Sequence, residues 1–153
     1  PELVYLPLIE VEHQVFTSIS HPLQQRKAVA PKALTEHPWI WLRDAVAARA
    51  LLLQKFQRAG LGMPPSAIET TSMQFGFRLL QRGQHLMVLP STLRGVAQRE
   101  GLAPLRLNTS IGSFVAGIMY RPSLERLRTF RCFRDALLEQ AQAQKAARSG
   151  LAS

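Results

Sequence analysis

The chain has 153 residues, of which 46% are hydrophobic, enough for one ordinary core or two small lobes. Its longest apolar stretches, residues 50–53 and 86–89, fall far short of the roughly 18 residues that a spanning helix needs, so no membrane partner is expected. Lys and Arg number 19 against 10 Asp and Glu, a net +9, yet no RNA-recognition, zinc-finger or basic-zipper signature accompanies the excess.

Residues 3–11 and 14–19 are rich in Val, Ile, Leu, Phe and Thr ahead of a His21-Pro22 break, and read as two strands. Pro7 marks an edge or a bend. Pro31 with Lys32, Ala33 and Leu34 reads as a short helix, since proline fits a first turn. Trp39, Ile40 and Trp41 follow as a short apolar strand. Over residues 44–59 the positions Val46, Ala50, Leu53 and Phe56 define an amphipathic helix stopped by Gly60.

After the Pro64-Pro65 turn comes a strand at 67–70. Ser72 then stands as N-cap of a helix whose core positions are Met73, Phe77 and Leu80, closed by Gly83. Residues 85–89 form a buried-type strand ended by Pro90, 92–99 a short helix before the Gly101 turn, and 102–107 an extended segment. A last strand at 113–120 leads to a helix starting at Pro122-Ser123, where Glu125 suits the positive end of the dipole. Leu127, Phe130, Leu137 and Ala141 are its inward stripe, and Cys132 reads as a small buried hydrophobe beside them. Arg121, Arg126, Arg128, Arg131 and Arg134 read as its solvated basic face, a phosphate-binding face being the alternative. The tail from 140 to 153 either frays or extends the helix.

Strands alternating with helices point to an α/β architecture with largely parallel pairing. Such sheets bind ligands where strands end and helices begin, because free N–H groups and the helix dipole gather there. The junctions 42–46 and 70–74 qualify. His13, His21, His37 and His85 show no metal-ligand spacing, no glycine-rich phosphate loop occurs, and no nucleophile, base and orienting group can be assembled, so neither metal, cofactor nor enzyme activity is expected. The lone cysteine excludes an internal disulfide framework, and with no basic-then-apolar leader it suits a cytoplasmic setting. The start at Pro1 reads as a piece of a longer protein.

The segment 69–90, Glu-Thr-Thr-Ser-Met-Gln-Phe-Gly-Phe-Arg-Leu-Leu-Gln-Arg-Gly-Gln-His-Leu-Met-Val-Leu-Pro, closely resembles the part by which LysR-type regulatory domains are recognised. His21-Pro22-Leu23, His37-Pro38-Trp39-Ile40, Ala59-Gly60-Leu61 and Gly117-Ile118-Met119-Tyr120-Arg121 resemble further marks of that family in order and spacing. The resemblance implies a two-lobed fold similar to periplasmic solute-binding proteins, with the first lobe incomplete. Residues 1–19 would give part of that lobe and a crossing strand, 20–113 the second lobe, and 114–153 the return strand and final helix.

It also implies a small-molecule effector, DNA contact through an amino-terminal winged helix-turn-helix absent from this chain, and a homo-oligomer. Thr71, Ser72, Met73 and Gln74 match the family's ligand-facing helix start, although Ser72 as cap and Met73 as core is compatible with the same positions. Arg43 and Asp44 form a second pair at the same cleft edge, where an arginine would hold an anionic effector; a solvated arginine is the alternative. His85 stands where the family has a second glycine, as filler or as effector contact. Phe75 and Leu79 are either a partner-facing patch or simply deep core. A stand-alone periplasmic-type solute-binding receptor shares the fold logic and is the competing function.

Overall fold

The computed structural model describes residues 2–62, 64 and 66–150. Where two strands were expected, one is formed: β1 runs unbroken over Val4–Ser18. The polar pair Glu12-His13 suggested a gap, but neighbouring strand residues face opposite sides, so each face meets one polar group and the ladder continues. Pro7 lies exposed within it, where a missing N–H leaves no buried group unpaired.

A 3-10 turn, Pro22–Gln25, follows, capped by His21, whose Nδ1 accepts the Leu23 N–H at 3.1 Å. Then come α1 (Pro31–Leu34), β2 (Trp39–Leu42), α2 (Val46–Arg58), β3 (Ser66–Thr70), α3 (Met73–Leu80) and β4 (Leu86–Pro90). A turn at Ser91–Leu93 runs into α4 (Arg94–Arg99), followed by β5 (Leu102–Pro104), β6 (Ser113–Tyr120), a 3-10 segment Pro122–Arg126 and α5 (Arg128–Gly150). Pro65 of the expected Pro-Pro turn and residues 151–153 of the tail lie outside the described residues.

The chain divides into two units. Unit 2 is Glu12–Ser113, and unit 1 is the chain up to Val11 and from Phe114 onward. The boundary between Val11 and Glu12 falls inside β1, whose residues from His13 on pair with β4 and β5.

In unit 2 the strand order is β3-β2-β4-β1-β5. β2 is parallel to β3 and β4, whereas β1 is antiparallel to β4 and β5. The pairing is therefore mixed rather than largely parallel. Helical crossovers fix the direction of β2, β3 and β4, but β1 enters without one and runs against its neighbours. Alternation along the strands sorts the core onto two faces. Val15, Trp39, Trp41, Leu86 and Val88 pack with Ala48, Leu52 and Phe56 of α2. Phe16, Ile40, Met87, Leu89 and Leu102 pack with Phe77 and Leu80 of α3 and Ala97 of α4. Each large side chain so buried contributes on the order of 1.5–3 kcal/mol.

The inward stripe of α2 differs from the expected one. Phe56 is buried, but Ala48 and Leu52 join it, while Val46 is 69% exposed and Ala50 faces solvent. With alanine and leucine on several sides, the helix pattern alone does not fix its rotation. Phe56 meets the Trp39 ring edge-on, centroids 6.2 Å apart at 75°, and Trp39 in turn stacks on Trp41, rings 5.0 Å apart at 10°.

In unit 1, β6 pairs with β1. A Cβ on Gly117 would stand 2.8 Å from the Tyr5 ring and against the Leu6 carbonyl, so only glycine fits this close approach. The Tyr5 hydroxyl donates to Val115 O at 2.9 Å. The final helix begins later than expected, because Leu127 is extended and breaks it from the 3-10 segment. Arg131 donates to the carbonyls of Glu125 and Arg126 at that break. Leu127 is consequently 52% exposed instead of inward. Phe130 and Leu137 are half-buried and Ala141 buried. Phe130 packs on Tyr120 with ring centroids 4.7 Å apart. Cys132, two residues on and so nearly opposite on the helix, is exposed rather than buried. Glu125 lies in the first turn of the 3-10 segment rather than of α5, and accepts a hydrogen bond from the Tyr120 hydroxyl at 2.6 Å.

Candidate functional site

Parallel pairing sets Leu42 opposite Thr70, so the two strand-to-helix junctions emerge side by side. Their backbones are joined directly: the Arg43 N–H donates to Thr70 O at 3.0 Å. Thr70 Oγ1 accepts the Ser72 N–H at 3.0 Å, and Ser72 Oγ accepts the Phe75 N–H at 3.2 Å. Two of the opening donors of α3 are thus held by side chains. Those of Met73 and Gln74 have no acceptor within the helix, which leaves them and the positive end of the dipole available to a polar group.

Arg43, Asp44, Thr71, Ser72 and Gln74 are exposed at this edge, and Met73 is half-buried against the α3 core. Ser72 is the cap in fact, and Met73 packs as expected of a core residue. The three ion pairs among the described residues, Arg49–Glu69, Arg134–Glu125 and Arg134–Asp135, use neither Arg43 nor Asp44. Glu69 is committed elsewhere, paired at 2.6 Å with Arg49, whose guanidinium lies 5.0 Å from the centre of the Trp41 ring.

The same edge continues across the sheet. His13 lies opposite Pro90 and Gln14 opposite Leu89, so the start of β1 in unit 2 meets the end of β4. Two recesses open there. One of about 230 Å³ is lined by Glu12, His13, Gln14, Thr109 and Ser110 over an apolar floor that includes Ile111. Another of about 370 Å³ is lined by Gln14, Arg94, Gln98, Pro104, Leu105 and Arg106. Burial holds the His13 imidazole below its ordinary pKa. The sequence reading missed Gln14, Arg94, Thr109 and Ser110. The available signals were an amide heading an otherwise apolar strand and the Asn108-Thr109-Ser110 run between elements.

His85 is not brought to this edge. It precedes β4, which is parallel to β2, and the Leu86 N–H donates to Pro38 O at 3.0 Å, so His85 sits at the opposite end of the strands. At that end too lie His21 and His37, whose ring centroids are 4.7 Å apart. Burial lowers the pKa of His85, His21 and His37; the charge of His37 lowers that of His21 further. His85 Nδ1 is buried without a hydrogen-bond partner. Gly83 has φ +85°, while among the described residues none other than glycine has positive φ, so the turn before β4 needs no second glycine where His85 stands.

Phe75 is 50% exposed, which removes the deep-core reading for it, whereas Leu79 is half-buried against the α3 core. Among the described residues no group of three or more His, Cys, Asp and Glu could hold a metal ion, and no helix is long and apolar enough to cross a membrane.

A model of the LysR substrate binding domain family matches residues 1–142. A curated protein of Synechococcus elongatus, named as a nitrogen assimilation transcriptional activator, is 32% identical over 83 residues, which are 54% of this chain and 26% of that relative. A transcriptional regulator from Vibrio parahaemolyticus superposes with a TM-score of 0.80 at 16% identity, over 94% of this chain and 67% of that one. The regulatory domain of CcmR from Synechocystis PCC6803, solved in complex with 2-PG, superposes with a TM-score of 0.74 at 18% identity, over 92% and 67%. The matched part is thus about a quarter of the curated relative.

Proposed function

The chain belongs to the LysR substrate-binding domain family, and from that membership we propose that it is the effector-sensing part of a LysR-type DNA-binding transcription regulator. A small polar molecule binds at the strand-end edge of unit 2, where Thr71, Ser72, Met73 and Gln74 supply hydroxyl, amide and backbone donors and Arg43 supplies positive charge. An anionic effector suits this set, since the helix start and the guanidinium both favour negative charge. Asp44 lies beside Arg43 and limits how much negative charge the edge accepts. His85 falls outside the set because it occupies the opposite end of the strands.

The observation that carries the reading is the direct bond between the two junctions, Arg43 N–H to Thr70 O, which makes one edge of two segments 27 residues apart in sequence. The regulator acts by population shift. Effector preferring one arrangement of the protein moves it toward or away from a DNA-bound state by its differential affinity. DNA contact belongs to a winged helix-turn-helix outside this chain, the working protein is a cytoplasmic homo-oligomer with Phe75 in a partner-facing patch, and no reaction is catalysed. The family and the named relative favour this over a stand-alone solute receptor.

Calorimetry with a panel of small carboxylates and phosphorylated acids, 2-PG among them, tests it. Thr71→Ala combined with Gln74→Ala should weaken the bound ligand by about tenfold or more, as expected when hydrogen bonds to a charged group are lost. The melting temperature should barely move, since both side chains are exposed. Unchanged affinity in that variant would remove the effector from this edge.

A further inference from the structure

The recess formed by β1, α4 and β5 lies away from the junctions that hold Arg43 and Thr71, and we propose that it is a separate site for a small dianion carrying phosphate or carboxylate oxygens. In the sheet order, two to four strand spacings of about 4.8 Å separate these places, roughly 10–20 Å. One small molecule does not touch both.

Gln14 shares its face of β1 with Phe16 and therefore points to the side covered by α4. Arg94 and Gln98 are one turn apart on α4 and lie on one side of it. Arg94 Nη2 donates to Gln14 Oε1 at 3.2 Å, which orients both. Arg106 follows β5, its carbonyl fixed by the Val29 N–H at 2.7 Å. These four side chains line one cavity of about 370 Å³ with Pro104 and Leu105, and no carboxylate is among them. The three ion pairs among the described residues involve neither Arg94 nor Arg106.

Two guanidinium groups lining one recess without a carboxylate repel each other, and an anion between them reverses that energy. Arginine holds phosphate or carboxylate through paired N–H donors. Gln14, with its oxygen engaged by Arg94, keeps its amide N–H groups as further donors. The volume lies at the lower end of small-molecule sites, roughly 300–1,000 Å³, which selects a compact ligand over a nucleotide.

The test is an NMR titration of the full chain with inorganic phosphate and, separately, with succinate. Ionic strength is held near 0.15 M, where the screening length of about 8 Å suppresses diffuse attraction. The proposal expects saturable shifts at the amides of Gln14, Arg94, Gln98 and Arg106, and the tighter anion names the class. Arg94→Gln and Arg106→Gln should each weaken it about tenfold, Gln98→Ala severalfold, and Thr71→Ala with Gln74→Ala not at all. The proposal is overturned if neither anion gives saturable shifts. It is equally overturned if the double variant Arg94→Gln, Arg106→Gln keeps both its melting temperature and the parent affinity, or if the Thr71 and Gln74 variant loses this binding, which would make the two places one site.

Discussion

Unit 2 distributes Trp39, Phe56, Leu86, Phe16, Phe77 and their neighbours into a core on each face of its sheet, while among the described residues of unit 1 only Val11, Tyr120 and Ala141 are buried. Of the large apolar residues that stand exposed, Leu3, Tyr5, Phe114, Val115, Met119, Leu124, Leu127 and Phe133 belong to unit 1, against Ile19, Val46, Phe75 and Val96 in unit 2. The lesson is about where stability resides. A sheet flanked by helices on both faces closes its own core, whereas one strand pair and one long helix have too few layers to do so, and their apolar surface stays open to cover.

Truncating one aromatic in each unit should separate the two furthest. Phe56→Ala should cost about 3–5 kcal/mol in urea unfolding, as for other buried aromatics, and Phe133→Ala, 56% exposed, no more than about 0.5 kcal/mol. Equal losses would show that unit 1 is as well packed as unit 2. Next in size is Gly117→Ala, which drives a methyl into Tyr5 and the Leu6 carbonyl and should cost about 1–3 kcal/mol. Hydrogen exchange should rise in β6 and the first half of β1 while β2 and β4 keep their protection. A uniform rise would mean that the units open together.

Acid should separate them further, because all four histidines lie in unit 2 and each is held below the ordinary 6.5, first of all by burial. The unfolded chain then binds protons more readily than the folded one. Stability is full above pH 6.5 and is lost as the pH falls from there toward each folded-state pKa. His21 carries the clearest cost, since protonating Nδ1 removes the acceptor of the Leu23 N–H; its slope reaches at most about 1.4 kcal/mol per pH unit. His21→Asn keeps an acceptor at the cap and should flatten the acid limb of a thermal-melt series. A limb of undiminished steepness would take His21 out of the account. The smallest effect on folding belongs to Phe75→Glu, within about 0.5 kcal/mol, yet sedimentation should show it dispersing any self-association. An oligomer that survives it places the contact elsewhere, unit 1 being the richer in open apolar surface.

What could be read from the residues alone was local in origin. Ser72 reveals itself as a cap because its hydroxyl bonds to an amide three residues on, and Gly83 as a stop because the turn needs its φ of +85°. The strands β2 and β4 follow from short apolar runs between prolines and polar turns. The rotation of α2 was not legible, for a helix apolar on several sides takes its phase from the tryptophan stack it meets. The site divides in the same way. Both junctions were visible as strand-to-helix passages, but which end of the sheet His85 occupies depends on strand direction. The approach of Gln14 to Arg94 spans 80 residues of sequence, and no local pattern announces it.

The long strand β1 carries a consequence for synthesis. Its first half must wait for β6, and between Val11 and Phe114 the ribosome makes the whole of Glu12–Ser113. At about 5–20 residues per second, that interval is roughly 5–20 seconds, during which Val4, Leu6 and Leu8 are without β6. The intervening segment has no such wait once complete, because its own ends meet: the His13 N–H donates to Gly112 O at 2.9 Å. Birth order therefore favours an inserted module that is finished before β6 arrives, and Glu10 places negative charge on the waiting half of β1, where it discourages pairing with another nascent chain.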